Sequence, residues 1–283
     1  MRSSLPGSKR RLLLLTVWLI VSHHVALTRS ASTSLTLGEL RTNVPLLQSL
    51  SSNGFLKTTF LTAVLLGNLS GVQVVKDVDS YELMKLRLLN GGHSAMGYLG
   101  YLAGYTYIHE VVNDPTINKY IRVLMREEVI PLLPKVPGVD FEEYTASVLE
   151  RFSNPAIQDT VARICLMGSG KMPKYVLPSI YEQLRKPNGK YKLLAVCVAG
   201  WFRYLTGVDM NGKPFEIEDP MADTLKAAAV KGGKDPHELL NIEVLFSPEI
   251  RDNKDFVAQL THSLEVVYDK GPLAAVNEVL DQV

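Results

Sequence analysis

The sequence predicts an all-α fold, and three observations carry that prediction. From Tyr81 to the C-terminus, apolar residues recur at helical spacing. Proline and glycine punctuate that pattern at intervals suited to helices of ordinary length. No strand–helix alternation is visible upstream of Tyr81 and no GxGxxG follows a plausible strand, so the sequence offers no dinucleotide-binding unit.

At 283 residues, 46% hydrophobic and 21% charged, the chain has ordinary globular composition and length for one large domain or two small ones. A formal net charge of +1 gives no electrostatic reason to expect nucleic acid or an anionic membrane surface as a partner. Cys165 and Cys197 lie far apart in apolar segments and read as small core residues, not as a disulfide framework. No His/Cys/Glu cluster has ligand spacing, so no metal is expected.

Residues 1–31 place Lys9, Arg10 and Arg11 ahead of the apolar run Leu12–Val21 and the stretch SHHVALTRSA. That is the layout of a secretory signal, and the run is too short to span a bilayer. In a secreted chain Asn68-Leu69-Ser70 would be a glycosylation acceptor; the alternative is that the segment is not native targeting information. Residues 32–70 show weak helical periodicity broken by Gly54 and Gly67 and stay unassigned. Residues 71–79, with alternating valines, read as a short extended lead-in to a helical domain covering 71–283.

Within that domain the pattern predicts helices over 81–114, 116–130, 140–151, 154–167, 174–185, 191–205, 220–231, 236–241, 254–268 and 272–282. Pro187-Asn188-Gly189 and Asn211-Gly212-Lys213-Pro214 are turns, and Asp219, Asp235 and Ser247 stand where helix N-caps belong.

The stretch 81–114 organises the rest. At about 100° and 1.5 Å per residue, Lys85, Asn90 and His93 fall at roughly 0°, 140° and 80°, within one half-cylinder of an α-helix. Their neighbours Leu83, Leu86, Leu88, Leu89 and Met96 are apolar, so the three polar groups need hydrogen bonds inside the fold or to a ligand. Gly91, Gly92, Gly97, Gly100 and Gly104 each cost about 1 kcal/mol relative to alanine in a helix, which something must offset. Gly97, Gly100 and Gly104 form a stripe for close backbone approach, and Gly91-Gly92 either clear space for a ligand or bend the helix. The polar residues interrupt the apolar run too often for a membrane span.

A second stretch, 150–174, carries Arg151, Arg163 and Lys171. Arg163 lies among Ala162, Ile164 and Cys165, which suggests that its guanidinium reaches a buried acceptor. Lys171 follows Gly168-Ser169-Gly170, a weak candidate for a phosphate nest and too short for a Walker A loop. Arg151 reads equally well as compensation for a helix C-terminus.

The segments MKLRLLNGGHSAMGYLGYLAGY, HEVVNDP, VPGVDFEEY, ERFSNPAIQDTVARIC and GSGKMPK closely resemble the C-terminal domain of the mannitol 2-dehydrogenase family, the long-chain polyol dehydrogenases that include fructuronate and tagaturonate reductases. The resemblance runs from about Gly71 to the C-terminus, and its Lys-x4-Asn-x2-His signature is specific. It implies a multi-helical substrate domain in which Lys85 is the general acid/base, Asn90 helps hold the developing oxyanion, His93 contacts substrate hydroxyls, and Arg163 and Lys171 line the polyol site. It also implies NAD or NADP as cofactor, a polyol or ketose as substrate and a cytoplasmic location. The family's N-terminal Rossmann domain has no counterpart in residues 1–70, so a truncated or mis-joined reading frame, a degenerate copy, or a half-enzyme served by a cofactor-domain chain is expected. A non-catalytic helical module that binds a polyol or a protein is the alternative from a different functional class.

Overall fold

The structure, a computed structural model, describes residues 78–283. Helix α1 (Asp79–Met84) runs without a break through a π-helical turn (Lys85–Asn90) into α2 (Gly91–Leu102). Then come α3 (Ile108–Asn113) and α4 (Pro115–Val123), the latter continued by a second π segment (Leu124–Val129) and a 3₁₀ turn (Ile130–Leu132). Next are α5 (Phe141–Phe152), a 3₁₀ turn (Pro155–Ile157), α6 (Val161–Cys165), α7 (Gly168–Tyr175), α8 (Leu177–Leu184) and α9 (Lys192–Tyr204). The chain closes with α10 (Ala222–Gly232), α11 (His237–Leu240), α12 (Pro248–Arg251), α13 (Lys254–Lys270) and α14 (Pro272–Leu280). Among the described residues β-structure is limited to two isolated antiparallel bridges, Tyr107 with Thr160 and Val208 with Pro214. The fold is all-α, as the sequence predicts. Of the extended lead-in expected over 71–79, residues 71–77 lie outside the described residues and Asp79 is already helical.

Two helices form the centre. Every residue of α9 from Leu193 to Tyr204 is buried, and α2 is buried except at His93 and Tyr101. A helix that is apolar on all sides must be enclosed on all sides, and here α9 packs against α2 on one flank and α13 on another. Trp201, Phe202, Phe246 and Phe256 fill the space around α9, each contributing about 1.5–3 kcal/mol by leaving water. Cys165 and Cys197 are buried and unpaired in this core.

A carboxylate fixes the start of α9. Glu128, on the second π segment, accepts hydrogen bonds at 2.8 Å from the backbone N–H groups of both Leu193 and Leu194, and it is 1% exposed. The first N–H groups of a helix have no intrahelical partner, and the helix end favours negative charge. The Gln183 amide in turn donates to the Glu128 carbonyl at 2.6 Å, so α8 locks the same corner.

Three expected elements differ. The helix expected over 81–114 stops at Leu102, because Gly104 turns the chain at φ 88° and Asp114 then caps α4 by accepting from the Ile117 N–H at 3.0 Å. The helix expected over 154–167 is broken into pieces. Asn154 caps the Ala156 N–H, Gln158 sits at φ 50°, and the Thr160 hydroxyl accepts from the Arg163 N–H, so only Val161–Cys165 is α-helical. Short polar side chains offer the backbone these local alternatives to a helix. Conversely, Gly168-Ser169-Gly170 is not a loop but the first turn of α7. Asp235 and Asp219 accept from the backbone N–H groups of His237 and Met221 as N-caps do, whereas the Ser247 hydroxyl is buried without a hydrogen bond.

Candidate active site

The α1–α2 rod changes its winding where its polar residues lie. The Gly91 N–H reaches back to the Leu86 carbonyl, five residues earlier, which marks a π turn. Closing the backbone i→i+5 draws residues five apart toward one side, so Lys85 and Asn90 stand closer in azimuth than the 140° an α-helix would give them. Helices α5, α7 and α8's neighbouring π segment at 124–129 pack around this turn.

Lys85 is partly buried, and its ammonium makes no hydrogen bond or ion pair with any described residue. Desolvation lowers its pKa, and the charge of Glu82 one turn earlier opposes that shift. The Asn90 Oδ1 is buried and has no hydrogen-bond partner. His93 stacks on Phe152 from the end of α5, with ring centroids 4.0 Å apart and planes inclined by 26°. Burial pushes the His93 pKa down to about 3; Asp159 opposes this, while Arg163, Lys171 and Arg151 reinforce it. The imidazole is therefore neutral at ordinary pH, one ring nitrogen a donor and the other an acceptor.

Those charges show that the second predicted stretch does face the first. Lys171 on α7 donates to the Ile164 carbonyl at 3.0 Å, and burial lowers its pKa. Arg163 is placed differently from the sequence expectation. Its side chain is 62% exposed, and its acceptor is Asp159, gripped by both Nε and Nη2. The apolar residues beside it in sequence point elsewhere, since successive helical residues do not share a face. Arg151 is exposed in the last turn of α5.

The phosphate nest is filled from within. The Ser169 N–H donates to Asp219 at 2.7 Å and its hydroxyl donates to the same carboxylate at 2.6 Å. The glycines of α2 are likewise committed to the protein. A Cβ at Gly91 would lie 3.1 Å from the Tyr175 carbonyl oxygen, and one at Gly92 would lie 2.5 Å from the Met125 methyl. Gly97 and Gly100 face Ile164 and Val111 side chains, not a second backbone, and Gly104 serves the turn. Among the described residues no group of three His, Cys, Asp or Glu could hold a metal ion, and no helix is long and apolar enough to cross a membrane.

Residues 77–268 match the family described as Mannitol dehydrogenase C-terminal domain, two thirds of the chain and all of the elements that carry this cluster. The chain belongs to the mannitol dehydrogenase family. It is 96% identical over 215 residues to Mannitol dehydrogenase DSF1 of Saccharomyces cerevisiae, covering 76% of this chain and 43% of that protein. It is 50% identical over 210 residues to a mannitol 2-dehydrogenase of Phaeosphaeria nodorum, covering 73% of this chain and 36% of the relative. Among solved structures it resembles Pseudomonas fluorescens mannitol 2-dehydrogenase in ternary complex with NAD and D-mannitol. That likeness has a TM-score of 0.72 at 36% identity, over 75% of this chain and 43% of the other. The chain thus spans less than half the length of these relatives.

Against the mannitol dehydrogenase signature, the structure brings Lys85 and Asn90 together on the π turn and gathers the charges of Arg163 and Lys171 around His93. Four partners escaped the sequence reading: Glu82 beside Lys85, Phe152 under His93, Asp159 on Arg163 and Asp219 on Ser169. Glu82 was findable, since i,i+3 residues are helix neighbours. The stretch ERFSNPAIQD contains the next two, but nothing in it shows which side chains turn inward.

Proposed function

We propose that this chain carries the substrate half of a polyol dehydrogenase that interconverts a sugar alcohol with a ketose, of the mannitol and fructose type, with NAD or NADP as hydride partner. One observation carries the reading. The π turn holds a half-buried lysine that makes no hydrogen bond or ion pair with a described residue and, five residues on, a buried amide oxygen with no hydrogen-bond partner among the described residues. Unpaired buried polar atoms are costly, about 1–3 kcal/mol each, and a ligand hydroxyl relieves both.

Among the described residues the Gly168–Gly170 turn is closed to a dinucleotide phosphate, because it already holds the Asp219 carboxylate. The cofactor half is assigned to a separate domain or chain, and the steps given to this chain concern the proton. In the oxidising direction the neutral Lys85 amine takes the proton of the reacting hydroxyl. The lowered pKa makes that neutral form accessible nearer to physiological pH. The Asn90 amide donates to the oxygen as negative charge builds on it, and its Oδ1 accepts from a neighbouring hydroxyl. His93, neutral and two-sided, meets substrate hydroxyls as donor and acceptor, with Arg163 and Lys171 completing the wall. A hydroxyl-rich substrate suits this mixture of donors and acceptors.

The test is a fusion of this chain to the cofactor domain of a family member, assayed with NADH and fructose by the loss of nicotinamide absorbance. Turnover is expected, falling by about 10²–10⁴-fold in Lys85→Ala. A Lys85→Ala fusion as active as its parent removes the assigned base, and a fusion without turnover or NADH binding removes the dehydrogenase reading.

A further inference from the structure

We infer that Phe152 is the positioning residue of the site: its stacked ring sets the plane in which the His93 imidazole presents its nitrogens to the substrate. The role rests on the substrate-wall reading of His93 given above. The geometry is direct, since the two rings lie 4.0 Å apart at 26°, a true stack between α2 and the last residue of α5.

The stack matters because nothing else directs the ring. Histidines that work in a site are commonly oriented by a hydrogen bond from the ring nitrogen facing away from the chemistry. Here neither nitrogen of His93 has a hydrogen-bond partner among the described residues. His93 is also one of two residues of α2 that are not fully buried, the other being Tyr101. It is thus an open-edged ring held by its face alone. Both nitrogens remain available to a ligand, which a hydrogen-bonded orienting partner would not allow.

Phe152 also excludes water from that face. The groups whose charges reach His93 are Asp159 and Arg163 on the segment entering α6, Lys171 on α7 and Arg151 on α5. Three of the four are cationic and all come from elements beyond Phe152 or beside it. Removing the phenyl ring hydrates the imidazole and screens those cations, so protonation moves up toward the ordinary range.

The experiment is a pH titration of the histidine side chains by ¹H–¹⁵N NMR on the full chain, with the His93 signal identified by its disappearance in His93→Gln. The parent is expected to keep a neutral His93 down to about pH 5. In Phe152→Ala the same ring is expected to protonate between about 3 and about 6.5, closer to the upper end. Phe152→Tyr, which keeps the flat face, is expected to keep the parent titration, and Phe152→Leu, which keeps apolar volume without a flat face, to titrate between the parent and Phe152→Ala. If Phe152→Ala does not fold, the Leu and Tyr pair decides alone. A His93 titration unchanged across Ala or Leu overturns the proposal. This readout needs no turnover, so a failed positioning role and a failed dehydrogenase assignment give separate results. In the active fusion, Phe152→Leu is expected to raise KM for fructose more than tenfold with kcat changed less, and an equal loss in the two overturns the assignment to substrate positioning.

Discussion

Replacing Glu128 by Gln isolates the charge at the start of α9 while keeping the volume. Two backbone N–H groups converge on the carboxylate at 2.8 Å, and they and the helix end favour the ionised form. Burial works against them and wins, raising the pKa from 4.5 to about 7. The sign follows from linkage. Between pH 4.5 and 7 the folded chain holds a proton on Glu128 that the unfolded chain has lost, so this group's contribution to stability falls as pH rises through that window. A raise of that size corresponds to about 3 kcal/mol across the window. Urea denaturation followed by circular dichroism at pH 5 and pH 7.5, on parent and Glu128→Gln chains, measures it. The parent is expected to lose about 2 kcal/mol more than the variant on going from pH 5 to pH 7.5, the part of the window those two conditions span. Glu128→Ala, which leaves both N–H groups unmet, is expected to cost about 2–6 kcal/mol at either pH, at about 1–3 per orphaned donor. Parallel pH dependence in parent and Gln variant, or a parent that gains stability with pH relative to it, refutes the claim that desolvation outweighs the helix end.

Five further substitutions separate effects that look alike in the sequence. Gly168→Ala drives a methyl to within 2.6 Å of the Trp201 indole nitrogen and 2.7 Å of the Tyr98 hydroxyl, both buried, and should cost about 1–3 kcal/mol in thermal or urea melts. Gly92→Ala meets only the flexible end of Met125 and recovers up to about 1 kcal/mol of helix propensity, so it should melt within about 1 kcal/mol of the parent. Arg87→Ala removes a buried guanidinium bound to Ser179 and Glu182 at 2.9 and 2.6 Å and is expected to cost about 2–4 kcal/mol. Arg185→Ala, at the exposed pair with Glu249, should cost under about 1 kcal/mol. Glu82→Gln removes the charge that holds the Lys85 pKa up, so the Lys85 amine should lose its proton at lower pH, read from ¹³C-methyl-lysine NMR titration. An unchanged Lys85 titration would show that Glu82 does not act on it.

What was legible in the sequence was whatever depends on local pattern. The apolar run 193–204 has no polar face, and it became the buried central helix α9. The Lys85–Asn90–His93 spacing pointed to a cluster, and Lys85 and Asn90 do share the π turn. What could not be read depends on long-range partners. The π turn has the composition of an α-helix, so its winding is set by what packs around it. Gly104 ends α2 while Gly97 and Gly100 continue it, although the three are equivalent as residues; only the positive φ distinguishes the first. Asp219 closes the Ser169 turn from 50 positions away, and no property of GSGK announces that. The burial expected for Arg163 failed because sequence neighbours were read as spatial neighbours, which a helix does not allow.

The occupied positions argue for the kind of substrate as strongly as the empty ones. Three places beside the Lys85–His93 cluster where a phosphate or a bulky ligand could be seated are taken by the protein itself. Asp219 holds the Ser169 N–H, the Tyr175 carbonyl covers Gly91, and Met125 covers Gly92. A phosphate at the start of α7 would have to displace a carboxylate that already makes two short hydrogen bonds there. The cations nearby do not reverse this, since Arg163 is neutralised by Asp159 and the Lys171 ammonium is bound to the Ile164 carbonyl. The unclaimed groups are a desolvated amine, an amide oxygen and a neutral imidazole. Each pairs with a hydroxyl at no electrostatic cost, and none of the three carries a full positive charge that would favour an anion once Lys85 is deprotonated. The proposed uncharged polyol or ketose is compatible with these groups, whereas a phosphate at the start of α7 would have to break bonds the fold has already made.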